Sequence, residues 1–588
     1  MSNQGNLSRR LSLFAFLLVA LVAALGIRLV DFQVVRADEI SEQSLKSRSV
    51  TQTLPALRGQ IRDASGQVMA RTVFRYDVNA APKNVGPVVT RVQGERIERS
   101  VQDVSLELAA VLGLSLEELA GKLVGNSEYS NLAKKVDAQT FNAIRDLAIP
   151  WIYFDKFADR LYPNGAVGGN LIGFVGSDGT PLAGLERQYN SCLAGIDGQE
   201  TFERSLEGVR IPTSNQTTQP TQHGGTLNLS IDANLQFFAQ QVLANAVSEL
   251  SAEWATAIVL EVETGRVLAA AEAPSVDPND PGATAALDRG SRIFQTAFEP
   301  GSIMKAVTSA IVLDTGKAGE RDTVIAPDYM ELDFPGGSIK DSFSHEDFNL
   351  TLAGVLRYSS NTGMAKFGIK VDSQTRYDYL KRFGFGATTP LRFEGESSGI
   401  LHPAKQWDKM TNYATLYGQG ISVTTIQMAS AYQAIANDGV RLSPILVDSC
   451  VKDDGTLYAA TPQESTQVIK KSTANLNLEF LEKVVEFGGV GKNAQIDGYR
   501  VAGKTGTAQV QDGLGGYGER YAISFYGVAP VDDPKFVVGI SIFRPSGETN
   551  SLQATPPFVA IMQQALKQYR IPPSTTSSRD IPSDKTGR

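Results

Sequence analysis

The chain has 588 residues, 42% hydrophobic and 20% charged, which suits two or three domains with apolar cores and excludes a disordered polymer. Its 55 basic and 63 acidic residues give a net charge of −8, so no basic excess is available to grip phosphate backbones and no nucleic-acid partner is expected. Three histidines and two cysteines exclude a Cys/His zinc site and a disulfide-stapled scaffold; no metal or cofactor is expected, and a single bridge between Cys192 and Cys450 stays open but is disfavoured by their wide separation.

Residues 1–10 read as a short tail in which Arg9 and Arg10 precede an apolar run. Residues 11–27 rise about 26 Å as a helix. Extending it over 11–30, with Arg28 snorkelling, reaches across a bilayer core of about 30 Å. A cleaved signal peptide would use the small residues Val22-Ala23-Ala24, but the apolar character continues to Leu29, Val30 and Phe32, which favours an uncleaved anchor. The two arginines on the short side place the N-terminus in the cytoplasm and the rest of the chain outside. Residues 31–225 read as one pedestal of short strands and helices. Two of its helices are predicted over 101–114 and 116–124, with Ser115 as N-cap between them. The Ser/Thr/Gln-rich stretch 213–223 marks a boundary loop.

From residue 226 the texture changes. A strand over 226–231 leads to Asp232, which caps a helix over 233–250. Runs 255–262 and 266–273 flank Glu263-Thr264-Gly265 as a hairpin. A second hairpin fits 521–528 and 535–543, and a last helix 557–569. Strands thus open and close a domain over 226–570 whose middle is helical, an α+β arrangement and not an alternating doubly wound one. The Pro/Ser/Thr/Asp-rich residues 571–588 are expected to be disordered.

The chemistry gathers in three segments. In Glu299-Pro300-Gly301-Ser302-Ile303-Met304-Lys305 the Pro-Gly start places Ser302 in the first turn of a helix, on one face with Lys305. The positive helix end favours charge developing at the serine, and a lysine is the base at hand in a chain with so few histidines. A second Ser-x-x-Lys, Ser449 to Lys452, lies in an extended stretch where residues three apart face opposite ways, so it is not a site. Ser359-Ser360-Asn361 falls at a turn between helical runs 352–358 and 363–369. Lys504-Thr505-Gly506-Thr507 lies in a strand over 499–510, where Gly503 and Gly506 permit a ligand close to the backbone. Lys585-Thr586-Gly587 has no strand around it. Asp277, Asn279 and Asp280, interleaved with prolines, read as a turn, and His345 and His402 as surface or structural residues.

Ser-x-x-Lys, Ser-x-Asn and Lys-Thr-Gly in this order resemble the pattern of penicillin-binding proteins and serine β-lactamases. Arg58-Gly59-Gln60-Ile61-Arg62-Asp63, Arg160 to Gly165, and Gly184-Leu185-Glu186 resemble pedestal motifs of class B penicillin-binding proteins. Ser230-Ile231-Asp232 and Tyr417-Gly418-Gln419-Gly420-Ile421 resemble motifs of their transpeptidase domain. The likeness spans about residues 55–570; Ala64 and Ile303-Met304 depart from the usual residues without touching a reacting group. The resemblance implies a membrane-anchored D,D-transpeptidase whose central antiparallel sheet is flanked by helices. Ser302 would form the acyl-enzyme and Lys305 take its proton. A lysine half neutral at pH 7 needs its pKa lowered by about 3.4 units, or about 4.6 kcal/mol, through burial and the repulsion of Lys504. Ser359 would relay a proton, Asn361 hold substrate amides, and Lys504, Thr505, Gly506 and Thr507 bind the terminal carboxylate. The backbone N–H groups of Ser302 and Thr507 would form the oxyanion hole. Partners so implied are D-Ala-D-Ala stem peptides, β-lactams as inhibitors, a membrane glycosyltransferase and other division proteins. Length and the 417–421 segment point to the division type, at the septum. An elongation-type enzyme, a β-lactam sensor or β-lactamase, and a non-catalytic wall-complex scaffold are the alternatives.

Overall fold

A computed structural model describes residues 4–92, 95–203, 211, 214, 216–459, 463–511, 517–546 and 550–584, in two compact units. The first comprises the chain up to Leu57 together with Gly195–His223. Its helix Gln4–Val30 overlaps a candidate span, Leu7–Val35, whose apolar window has mean hydropathy 2.7 and is not buried. Among the described residues it alone is long and apolar enough to cross a membrane. Strand Ser49–Leu54 pairs antiparallel with Gly198–Glu203, which pairs in turn with Gln216–Gln219. The single pedestal expected over 31–225 is therefore divided, because the backbone groups of residues 49–54 find their hydrogen-bond partners in this small sheet. The boundary loop expected over 213–223 contains one of its strands; residues 213 and 215 lie outside the described residues.

The second unit holds Arg58–Ala194 and the chain from Gly224 onward. Its pedestal part is built on strand Val68–Ala80, which pairs with Ser130–Val136 and Ile152–Leu161. Helices Val101–Leu112, Leu116–Leu123 and Ala138–Asp146 bury Val104, Leu108, Leu119 and Ile144 in a core that includes Trp151. The side chains of Ser100, Ser115 and Asp137 accept the first free N–H groups of these helices.

The three pedestal motifs meet at Glu186, which is fully buried. Its carboxylate accepts from Arg58 Nε at 2.6 Å, Arg160 Nε at 2.7 Å and Tyr162 Oη at 3.3 Å. Arg160 Nη1 also donates to Gly59 O at 2.6 Å, tying the first motif to the second. Removing the one carboxylate would strand two guanidinium groups with little access to water. Glu186→Ala should thus lower stability by about 3–5 kcal/mol, read as a fall in the urea midpoint. A loss below about 1 kcal/mol, typical of exposed pairs, would contradict this reading of the cluster.

Pedestal and catalytic part share a sheet. Ile61–Arg62 runs parallel to Thr226–Leu229, whose other edge pairs with Val447–Val451. Here the expectation for the cysteines is corrected: Cys192 and Cys450 form a disulfide, with Cα atoms 6.6 Å apart. Sequence separation hid it. Cys450 stands opposite Leu227 in the strand register, and Gly225 N donates to Cys192 O, so one short segment brings both cysteines together.

The catalytic part centres on a five-stranded antiparallel sheet in the order Val267–Ala273, Trp254–Glu261, Phe536–Phe543, Tyr517–Ala529, Ala502–Gln511. Both predicted hairpins are present, joined through the pairing of 254–261 with 536–543. Helices Ala233–Glu249 and Thr555–Gln568 cover one face, burying Leu235, Leu243, Phe558 and Met562. Helices Thr425–Ala436 and Lys471–Val485 cover the other, with Lys305–Asp314 packed against both. Covered on both sides, strand 254–261 is buried almost throughout and shows no polar face.

The C-terminal segment differs from expectation. Over 571–584 it is laid along the catalytic part: Tyr499 Oη donates to Ile571 O at 2.7 Å, Ser574 N to Gly498 O at 2.9 Å, and Ile581 and Ser583 are buried. Too polar to collapse alone, the segment satisfies its hydroxyls and carbonyls against a surface already folded. Residues 585–588, with Lys585-Thr586-Gly587, lie outside the described residues.

Candidate active site

Pro300 and Gly301 lead into a single 3-10 turn, Gly301–Met304, continued by helix Lys305–Asp314. Ser302 is half-buried in the turn, and Lys305, first residue of the helix, is fully buried. Lys305 Nζ stands 3.1 Å from Ser302 Oγ, donates to Ser359 O at 2.5 Å, and lies 3.3 Å from Ser359 Oγ. From the sheet, Lys504 Nζ donates to the same Ser359 Oγ at 2.9 Å. One hydroxyl thus lies between two buried amines. The helix pair that carries it is Leu352–Tyr358 and Asn361–Gly368; Ser359 closes the first at φ +58, and Ser360 caps the second by accepting from Gly363 N. Asn361 Nδ2 donates to Lys340 O at 2.8 Å. Ser302, Ser359, Asn361, Thr505 and Thr507 line one cleft of about 900 Å³.

Two glycines allow close approach to the serine turn, one from strand Ala502–Gln511 and one from the 417–421 motif. A Cβ at Gly506 would fall 2.9 Å from Ile303 Cγ2 and 3.1 Å from Pro300 O. A Cβ at Gly418, in the 417–421 motif, would lie 2.1 Å from Gly301 O, whose own N–H donates to Gly418 O. The Thr507 backbone packs against Gly301, next to Ser302, so the two residues expected to supply oxyanion donors are neighbours.

Burial lowers Lys305 to about 7, with the Asp341 carboxylate pulling the other way. Lys504 is pushed well below the usual lysine range, first by burial and then by the charge of Lys305. The expected repulsion therefore acts on Lys504, whereas Lys305 is depressed by burial.

Several supporting residues carry no sequence signal. Asp341 Oδ1 accepts from Asn361 N at 2.5 Å and Thr362 N at 3.1 Å, anchoring the start of that helix, while Oδ2 stands 3.1 Å from His345 Nε2. His345, stacked on Phe348, is a structural histidine. Tyr432 Oη donates to Ile303 O and Asn477 Nδ2 to Ala306 O, both at 3.0 Å, fixing the backbone of the serine turn and helix. Asp341 sits in an irregular loop, and Tyr432 and Asn477 look like ordinary helix positions. By contrast Ser449 lies on strand Val447–Val451, bonded to Asn228, while Lys452 stands over the Tyr458 ring. Asn279 is a turn residue that donates to Tyr162 O.

The family described as the penicillin binding protein transpeptidase domain matches residues 255–563, and that described as the penicillin-binding protein dimerisation domain matches 53–229. The chain is 32% identical to penicillin-binding protein PbpB of Mycolicibacterium smegmatis, over 95% of this chain and 90% of that protein. It is 31% identical to peptidoglycan D,D-transpeptidase FtsI of Escherichia coli K12, over 96% and 92%. Its fold is similar to the crystal structure of penicillin-binding protein 3 from Mycobacterium tuberculosis in complex with aztreonam, with a TM-score of 0.68 and 27% identity over 89% of this chain and 98% of that one.

Proposed function

This chain belongs to the class B penicillin-binding proteins of the division type, and from that premise we propose that it cross-links stem peptides through an acyl-enzyme on Ser302. It is a peptidoglycan D,D-transpeptidase that binds β-lactams, and its N-terminal apolar helix is consistent with a single-pass membrane protein. The observation that carries the residue assignment is the chain of contacts Ser302 Oγ, Lys305 Nζ, Ser359 Oγ, Lys504 Nζ, each within 3.3 Å of the next.

In this reading neutral Lys305 accepts the Ser302 hydroxyl proton as Oγ attacks the carbonyl carbon of the penultimate D-Ala. The developing oxyanion is met by the backbone N–H groups of Ser302 and Thr507. The carbon–nitrogen bond then breaks, and the proton passes from Lys305 through Ser359 to the departing D-Ala amine. An acceptor amine attacks the ester, loses its proton along the same path, and Ser302 recovers it as the cross-link leaves. Lys504, Thr505, Gly506 and Thr507 receive the terminal carboxylate, whose charge restores the ammonium of Lys504 while Lys305 stays neutral. Asn361 holds the peptide amides. The catalytic part works outside the cytoplasmic membrane at the septum, and the chain acts with a membrane glycosyltransferase and other division proteins.

Penicillin treatment followed by intact-protein mass spectrometry should give one adduct per chain, on the peptide containing Ser302, persisting for many minutes. Ser449→Ala should leave it unchanged. Rapid penicillin turnover without an adduct would support a hydrolase instead.

A further inference from the structure

The C-terminal segment ends on the helix that delivers Ser359. Thr351, N-cap of helix Leu352–Tyr358, donates through its N–H to Ser583 O at 3.1 Å and through Oγ1 to Pro582 O at 2.6 Å. Arg357, near the other end of the same helix, donates from Nη1 to Ser583 Oγ at 3.1 Å. Leu350 and Asp584 form a β-bridge just before it. Ser583 is 0% and Ile581 4% exposed, so the contact is an interior one. Gly354 makes room for it: a Cβ there would lie 1.8 Å from Ser583 O.

A helix of seven residues has no stability of its own, and its place is set by what it packs against. Its C-terminus is Ser359, whose carbonyl receives Lys305 and whose hydroxyl lies between the two lysines. Residues 582–584 therefore hold the helix at its start and through Arg357, and its end presents the proton relay. We propose that residues 571–584 are a positioning strap that seats Ser359 between Lys305 and Lys504. This rests on the relay reading of Ser359 given above. A segment that merely added stability would leave the reaction at an intact site unchanged once bound.

The test is Gly354→Ala in the full chain. Hydrogen exchange follows residues 571–584, and acylation by a chromogenic β-lactam over a concentration range separates the limiting rate from the half-saturating concentration. The methyl group should displace the strap, raise exchange at 580–584, and lower the limiting rate about 10- to 100-fold, as expected for a catalytic group misplaced by about 1 Å. Half-saturation should stay within about twofold, because the strap's bonds to Thr351 and Arg357 fall on the helix of Ser359, whereas Thr505 and Thr507 lie on strand Ala502–Gln511. Arg357→Gln, a milder change, should shift the limiting rate the same way by less, and it decides the matter alone if Gly354→Ala does not fold. A parental limiting rate with the strap released, or a strap still protected in Gly354→Ala, overturns the proposal. Ser359→Ala acylating at the parental rate would instead overturn the relay reading beneath it.

Discussion

Ser302→Ala is expected to lose the penicilloyl adduct completely and to retain the fold. The side chain is half-buried and hydrogen-bonds to Lys305, which keeps Ser359 O at 2.5 Å in its absence. Loss of a single methylene-bound hydroxyl opens no cavity of consequence, so thermal unfolding should change little. Ser359 Oγ also lies near Lys305, at 3.3 Å, but it is held by Lys504 at 2.9 Å and is placed as the relay, not the nucleophile, in the proposed mechanism. An adduct that survives in Ser302→Ala would show that another residue is the nucleophile.

Lys305→Met should lower the rate of β-lactam acylation by about 10²- to 10⁴-fold, the usual effect of losing a general base. Methionine fills nearly the same buried volume without accepting a proton, which separates the chemical loss from a packing defect. The pH dependence gives an independent check. Burial brings Lys305 to about 7 in the folded chain. Its neutral form, and with it the acylation rate, should therefore rise with pH through a midpoint near 7 and level off above. In the unfolded chain the same lysine stays protonated to its ordinary value of 10.5, so between about 7 and 10.5 the unfolded state holds the extra proton and this residue's contribution to stability rises with pH. A flat acylation profile between pH 6 and 8 would contradict a lysine base. In Lys305→Met the rising limb itself should vanish.

What the sequence makes legible follows from how local each signal is. Ser302 and Lys305 could be paired from spacing alone, because a helix start fixes which residues share a face, and Ser449 could be set aside because a strand does not. The caps Ser115 and Asp232 and both hairpins rest on equally local patterns. Contacts made by the assembled fold were hidden. Glu186 draws its two arginines from distant motifs, and the cysteines meet only because Cys192 and Cys450 both lie by the strand that links pedestal to catalytic part. Asp341 reaches the helix start at Asn361 from an irregular loop. Residues 571–584 have the composition of a free tail, and only the surface around Thr351 and Gly354 shows why they are held.

The most direct measurement uses the substrate itself. The full chain, in detergent or membranes, is mixed with a stem peptide ending in D-Ala-D-Ala, quenched in acid within one turnover, digested and weighed. The peptide containing Ser302 should carry the stem peptide minus its terminal D-Ala, with an equal amount of free D-Ala released. An amine acceptor added before the quench should empty that ester into cross-linked product. D-Ala released with no ester on Ser302, or with the acyl group on another residue, would contradict the mechanism.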